Sequence, residues 1–271
     1  MNFSNILKEI ENVDEEIYDR LDQRRNVVKN FLRFGSKLAL VSVPVALGGL
    51  LNKAYGKVPD RILDVLNFAL TLEHLEYRFY ETAMNTPNLV PAKDKINIIR
   101  DHEKEHVKFL KDTITQSGGT PVEEGKYDFT AKGTFPNVFT DYKEFLMVAQ
   151  AFEDTGVGAY KGQAAKIKRS NEILEAALRI HSVEARHAAH IRFVRLKSGY
   201  DTKVRPWIIG NDHTEGTPLA PIYKHESKHR QVVLFNINYI GGYNVGNAGT
   251  SSFDEPLHKD EVLKIVSPFM A

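Results

Sequence analysis

The chain has 271 residues, of which 26% are charged and 42% hydrophobic, with a formal net charge of +1 and no cysteine. That composition excludes a disordered or fibrous chain and allows one large domain, or one domain with extensions. The balanced charge, with Lys and Arg spread along the sequence, gives no nucleic-acid partner. The absence of cysteine excludes a disulfide framework, a Cys-ligated metal and a thiol nucleophile, so a metal would have to rest on His, Asp and Glu.

Residues 1–23 are polar and acidic, with Ile6, Leu7, Ile10, Val13, Ile17 and Leu21 at spacings that suit a short amphipathic helix. Arg24-Arg25-Asn26-Val27-Val28-Lys29 follows, and then an uncharged run from Leu38 to Leu51. A positive region before an apolar one has the layout of an export signal, and the two arginines resemble the twin-arginine type. The expected destination is the periplasm or cell envelope. The rival reading is an apolar segment packed on the protein or on a partner subunit, which leaves the chain in the cytoplasm. The run is shorter than the roughly 20 residues a membrane helix needs, and no other segment is long and apolar enough to span a bilayer.

From Pro59 the pattern turns helical. Ile62, Leu63, Val65, Leu66, Ala69, Leu70 and Leu72 give a broad apolar face after Asp60, a potential cap, and the helix runs to about Met84. A second helix fits Ala92 to about Gln116, opened by Pro91 and stopped by Ser117-Gly118-Gly119. Residues 117–139 are rich in Gly, Pro, Thr and aromatics, and make sense as a long crossover returning along a bundle. The third helix runs from near Asp141 to about Lys168, with Gly156, Gly158 and Gly162 inside it marking a close approach or room for something bound. Ser170 or Asn171 caps the fourth, which Ser198-Gly199 closes after Lys197. Beyond it, 200–271 reads as an irregular arm, with a weak strand over Val232–Ile240 and a last short helix capped by Asp260 and ending near Val266.

The helices repeat in pairs. The first holds Glu73 with Tyr80 seven residues on, and the third holds Glu153 with Tyr160 seven residues on. The second and fourth each hold Glu-x-x-His, as Glu103/His106 and Glu184/His187. Residues three apart share a helix face, so a Glu and a His there can reach one metal or two adjacent ones. One Glu from each remaining helix completes a shell of four carboxylates and two imidazoles, the ligand set of di-iron and di-manganese carboxylate bundles. Two divalent ions leave that shell near neutral, so it can be buried. Glu73, Glu103, His106, Glu153, Glu184 and His187 are therefore the candidate metal ligands, with iron expected and manganese or zinc also fitting. Tyr80, Tyr160, His181 and Glu76 stand as candidates close behind them. Glu76, one turn from Glu73, is its rival as a ligand; Glu73 is preferred because it matches Glu153 in the repeat.

The stretches LNFALTLEHLEYRFY (66–80), AFEDTGVGAYKGQA (151–164) and IHSVEARHAAHIR (180–192) resemble the ferritin-like domain proteins of bacteria, a group that includes proteins described as desiccation-related. The resemblance covers about residues 60–200 and implies a ferritin-like fold with a di-iron site. The expectation is thus an all-α, ferritin-like, up-down-down-up four-helix bundle over 59–199, with the long crossover between helices two and three, a leader over 1–58 and the arm over 200–271. The function expected is redox chemistry of a di-metal centre with a small oxidant, oxygen or peroxide, in stress protection. The alternative is a non-catalytic structural or stress-related scaffold in the cell envelope, and a homo-oligomer fits either.

Overall fold

The computed structural model describes residues 59–168, 170–214, 216–228 and 249–271, with the backbone of four short strands between 230 and 244. The expected leader helix, the Arg24-Arg25 pair and the Leu38–Leu51 run lie outside the described residues.

Four long helices carry the fold: α1 (Asp60–Asn85), α2 (Ile96–Gln116), α3 (Tyr142–Ile167) and α4 (Asn171–Lys197). The α1 apolar stripe is buried as its spacing requires, from Ile62 and Leu66 through Leu70 to Leu75 and Phe79. Pro59 occupies the cap position, and Asp60 is the first helical residue, where its carboxylate faces the positive end of the helix dipole. The second helix starts later than its sequence suggests. Ala92–Asp94 form a separate 3-10 turn, and Lys95, at φ 57°, breaks it from α2 because a left-handed residue cannot continue a right-handed helix. Asp94 anchors that turn: its carboxylate accepts from the Tyr142 hydroxyl at 2.9 Å and its carbonyl meets His190 Nε2 at 2.7 Å. Asp141 caps α3 by accepting from the Lys143 amide at 2.9 Å. Both α2 and α4 end on a left-handed glycine, Gly118 (φ 77°) and Gly199 (φ 70°). The next amides turn back onto Ile114 and Arg195.

The helix directions follow from two contacts. The Tyr80 hydroxyl donates to Glu153 and the Tyr160 hydroxyl to Glu73, so α1 and α3 lie antiparallel. Short links make α1/α2 and α3/α4 antiparallel as well, which gives an up-down-down-up order. The chain between α2 and α3 must then travel the length of the bundle, and it does so along α1. Asn67 clamps it through the Thr120 carbonyl and the Val122 amide, Arg78 forks onto Glu124 at 2.6 and 3.0 Å, and Phe129 packs on Phe79.

The interior is layered. One apolar cluster gathers Ile62, Leu66, Leu70, Leu110, Ile114 and Ile173 at one end. A larger aromatic one gathers Phe79, Phe129, Phe145 and Phe152 at the other. The carboxylates and imidazoles of α1–α4 lie in the stretches of helix between them.

The arm adds α5 (Ala220–Tyr223), two antiparallel strand pairs and α6 (Lys259–Val266). The single weak strand expected over Val232–Ile240 is divided: β1 (Arg230–Val232) pairs with β2 (Phe235–Asn236), and β3 (Tyr239–Ile240) with β4 (Tyr243–Asn244). Alternation marks extended backbone but not where the chain reverses. The cap of α6 is His258 rather than Asp260, because Glu261 reaches back to the His258 amide at 3.0 Å and closes a capping box. The arm explains two of the α3 glycines. Leu257 donates its amide to the Gly158 carbonyl at 2.9 Å, and a Cβ on Gly162 would fall 1.9 Å from the Leu257 carbonyl oxygen. Among the described residues, no helix is long and apolar enough to cross a membrane.

Candidate metal centre

Each long helix presents carboxylate or imidazole at mid-height, where its apolar stripe is interrupted. Glu73, Glu103, Glu153 and Glu184 are fully buried, and His187 nearly so. Two groups form. Glu73, Glu103, His106 and Glu184 bring one ligand atom each within 4.8 Å of one another, and Glu103, Glu153, Glu184 and His187 do the same. Glu103 and Glu184 belong to both groups.

The distances show the pseudo-twofold arrangement. His106 Nδ1 stands 3.1 Å from oxygens of Glu73, Glu103 and Glu184. His187 Nδ1 stands 2.8 Å from Glu103, 3.4 Å from Glu153 and 3.8 Å from Glu184. On the far side, Glu153 Oε1 accepts the Tyr80 hydroxyl at 2.5 Å, and Glu73 Oε1 accepts the Tyr160 hydroxyl. Each tyrosine thus holds one oxygen of a glutamate and leaves the other turned inward. Burial, reinforced by the adjacent carboxylate, keeps both phenols well above their ordinary pKa, so both remain donors.

The buried carboxylates and imidazoles are compatible with bound metal ions. Glu103 Oε1, Glu153 Oε2, both Glu184 oxygens and His187 Nδ1 are buried without a hydrogen-bond partner among the described residues. The closest of these approaches, His187 Nδ1 to Glu103 Oε1, is near in distance but not aimed as a hydrogen bond. Lone pairs packed this way are costly to bury unless a cation gathers them.

Burial pushes the Glu73 carboxyl up to about 8, and Glu153 well above the carboxylate range. Glu103 and Glu184 go the other way, because His106 and His187 outweigh the burial that opposes them. Burial alone would lower His187, but Glu153 and Glu103 override it and hold the imidazole up to about 12. His106 is likewise raised against burial by Glu73 and Glu103.

Three neighbours complete the picture. Glu76 points into the same layer: a Cβ on Gly156 would stand 3.2 Å from Glu76 Oε1 and 3.5 Å from Glu184 Oε2. Glycine at 156 therefore leaves room for a fifth carboxyl. Glu76 is held well above its ordinary pKa by burial and then by Glu184 and Glu73. His181 lies outside both groups. Its charge interactions run first to Asp254 and Lys161, on the side where Lys161 donates to the Asp254 carbonyl. The imidazole that does touch a candidate ligand is His102. It stacks on His187, with its Nδ1 2.9 Å from His187 Nε2. Burial and the His187 charge lower its pKa. The signal available in sequence was the i,i+4 relation of His102 to His106 on one face of α2.

Sequence reasoning also missed a second buried network, one residue along from Glu153. Asp154 takes a fork from Arg192 at 2.5 and 3.2 Å and the Tyr223 hydroxyl at 2.5 Å. Arg192 also reaches Asp212 at 2.9 Å, and Gln150 joins Asp212 to Tyr223.

An antiparallel four-helix bundle carrying buried glutamates and two Glu-x-x-His pairs in one layer defines a carboxylate-bundle protein. The family described as ferritin-like domain matches residues 61–197, half of the chain, and the chain belongs to that family. No curated protein matches it.

Proposed function

We propose that the chain is a di-metal carboxylate protein, iron being the favoured metal, whose chemistry is the reduction of a small oxidant. The observation that carries this reading is the sharing of Glu103 and Glu184 between the two ligand groups. One ion would rest on Glu73, Glu103, His106 and Glu184, and the other on Glu103, Glu153, Glu184 and His187. Iron held there would supply electrons to dioxygen or peroxide. The chain's own part is positional. Tyr80 and Tyr160 fix the two terminal glutamates, His102 orients the His187 ring, and the apolar layers above and below exclude water. Glu76, protonated and facing the cluster, holds a proton close to the reacting position. The twin-arginine-like leader supports export to the periplasm or envelope, where oxidant removal or iron oxidation would serve stress protection.

The test is metal content of the purified chain by mass spectrometry after anaerobic loading with ferrous ion, beside Glu103→Ala and Glu184→Ala. Two ions per chain, lost in both variants, with ferrous ion oxidised on exposure to oxygen or peroxide, is the expected result. A folded wild-type chain that takes up no metal overturns the reading and leaves the structural scaffold in its place.

A further inference from the structure

The helix repeat sets Glu73 against Glu153, Glu103 against Glu184 and His106 against His187, yet the hydrogen bonds around these matched residues differ. In the group that contains Glu73, its Oε1 accepts from Tyr160 and its Oε2 lies 3.1 Å from His106 Nδ1. The same nitrogen meets Glu103 Oε2 at 3.1 Å, so this group closes on itself. In the other group, Glu153 Oε1 accepts from Tyr80. Glu153 Oε2, Glu103 Oε1 and His187 Nδ1 are buried there without a hydrogen-bond partner among the described residues.

The repeat is also broken behind the rings. The residue before Glu103 is His102, and the residue before Glu184 is Val183. His102 stacks on His187 with centroids 5.2 Å apart, and its Nδ1 lies 2.9 Å from His187 Nε2, which leaves Nδ1 of that ring to the glutamates. A valine side chain has no hydrogen bond to offer in return. The His106 side chain is the more exposed of the two, 12% against 6%.

An ion entering between Glu153 and His187 displaces no hydrogen bond and meets a ring already oriented from behind. An ion entering between Glu73 and His106 must first part those ligands from each other. We propose that the two metal positions fill in order: the one on Glu103, Glu153, Glu184 and His187 first, the one on Glu73 and His106 second. His102 is the positioning residue that favours the first. This inference rests on the metal-centre reading and adds to it a stable half-loaded state.

The test is calorimetric titration of the full chain with manganous ion, followed in parallel by electron paramagnetic resonance. Expected are two steps roughly tenfold or more apart in affinity, with the spectrum of an isolated ion up to one equivalent and that of a spin-coupled pair only beyond it. His187→Ala should remove the tight step and His106→Ala the weak one. His102→Ala, at an exposed position of α2, should weaken the first step roughly tenfold or more and leave the second. Two ions bound in a single step, a coupled-pair signal from the first additions, or an unchanged first step in His102→Ala would each overturn the proposal and leave the metal centre standing. No uptake by the folded wild-type chain would overturn the metal-centre reading, and this proposal with it.

Discussion

Glu153 and Asp154 are consecutive on α3, about 100° apart around the helix, and they enter two different buried polar clusters. The outer one is paired: Asp154 and Asp212 face Arg192, and Tyr223 and Gln150 close the remaining hydrogen bonds. The inner one is not closed by hydrogen bonds: five glutamates gather with two imidazoles, and several inward carboxylate oxygens have no hydrogen-bond partner among the described residues. A buried cluster whose charges and hydrogen bonds close internally is a structural clamp. One that leaves inward carboxylate oxygens unpartnered could hold a cation from outside. Burial alone does not tell them apart, since Arg192 and Glu153 are equally hidden.

The largest effect expected from this contrast is on the outer side. Arg192→Ala strands Asp154 and Asp212 without their cation, and breaking such a buried pair costs about 3–5 kcal/mol, or roughly 10 °C in Tm. The loss should be the same with and without metal, as thermal melts in chelator and in ferrous ion would show. The inner cluster should behave in the opposite way. Saturating metal stabilises the wild-type chain by about 3–4 kcal/mol at 100 to 1,000 times Kd, and does nothing for Glu184→Ala. If Arg192→Ala responds to metal, or Glu184→Ala keeps the gain, the division between the clusters is wrong.

The inner cluster also predicts a direction with pH. Glu73 at about 8 and His187 at about 12 hold protons at neutrality, and a metal must displace them. Apparent metal affinity should rise from pH 6 to pH 8, with proton release measurable by an indicator dye during loading.

Glu226 sharpens the comparison from the outer side, because there it is the exception. Its Oε1 accepts the Glu255 amide at 2.9 Å, Oε2 is buried without a hydrogen bond, and burial pushes the carboxyl up to about 8. The fold favours its protonated form, so its stability is fully present below about pH 4.5 and is lost as pH rises toward 8. Glu226→Gln should remove that loss and raise stability at pH 9 by on the order of 1–2 kcal/mol, leaving pH 4 nearly unchanged. The smallest effect belongs to Tyr80→Phe. Deleting one hydrogen bond to Glu153 should cost about 1 kcal/mol of stability and weaken metal binding measurably. Tyr160→Phe should match it, since the two tyrosines are related by the repeat.

What the sequence determined about this protein is its periodic part. Four apolar stripes at helical spacing, short links within each helix pair and a long one between pairs leave few ways to pack, and the ferritin-like bundle is what results. The spacing of Glu73 to Tyr80, matched by Glu153 to Tyr160, was legible for the same reason, because residues seven apart return to one helix face. Tertiary structure alone decided which polar residues meet. Asp154 and Arg192 show no periodic mark, and their partners Asp212 and Tyr223 come from an arm whose path no local pattern specifies. His102 meets His187 across two helices, a contact that neither helix's own pattern specifies. Gly158 and Gly162 read equally well as room for a helix or a ligand, and only the seating of Leu257 shows that they admit the arm. Local sequence fixes which face a residue shares with its own neighbours; what stands opposite that face is set by contacts between segments far apart in the chain.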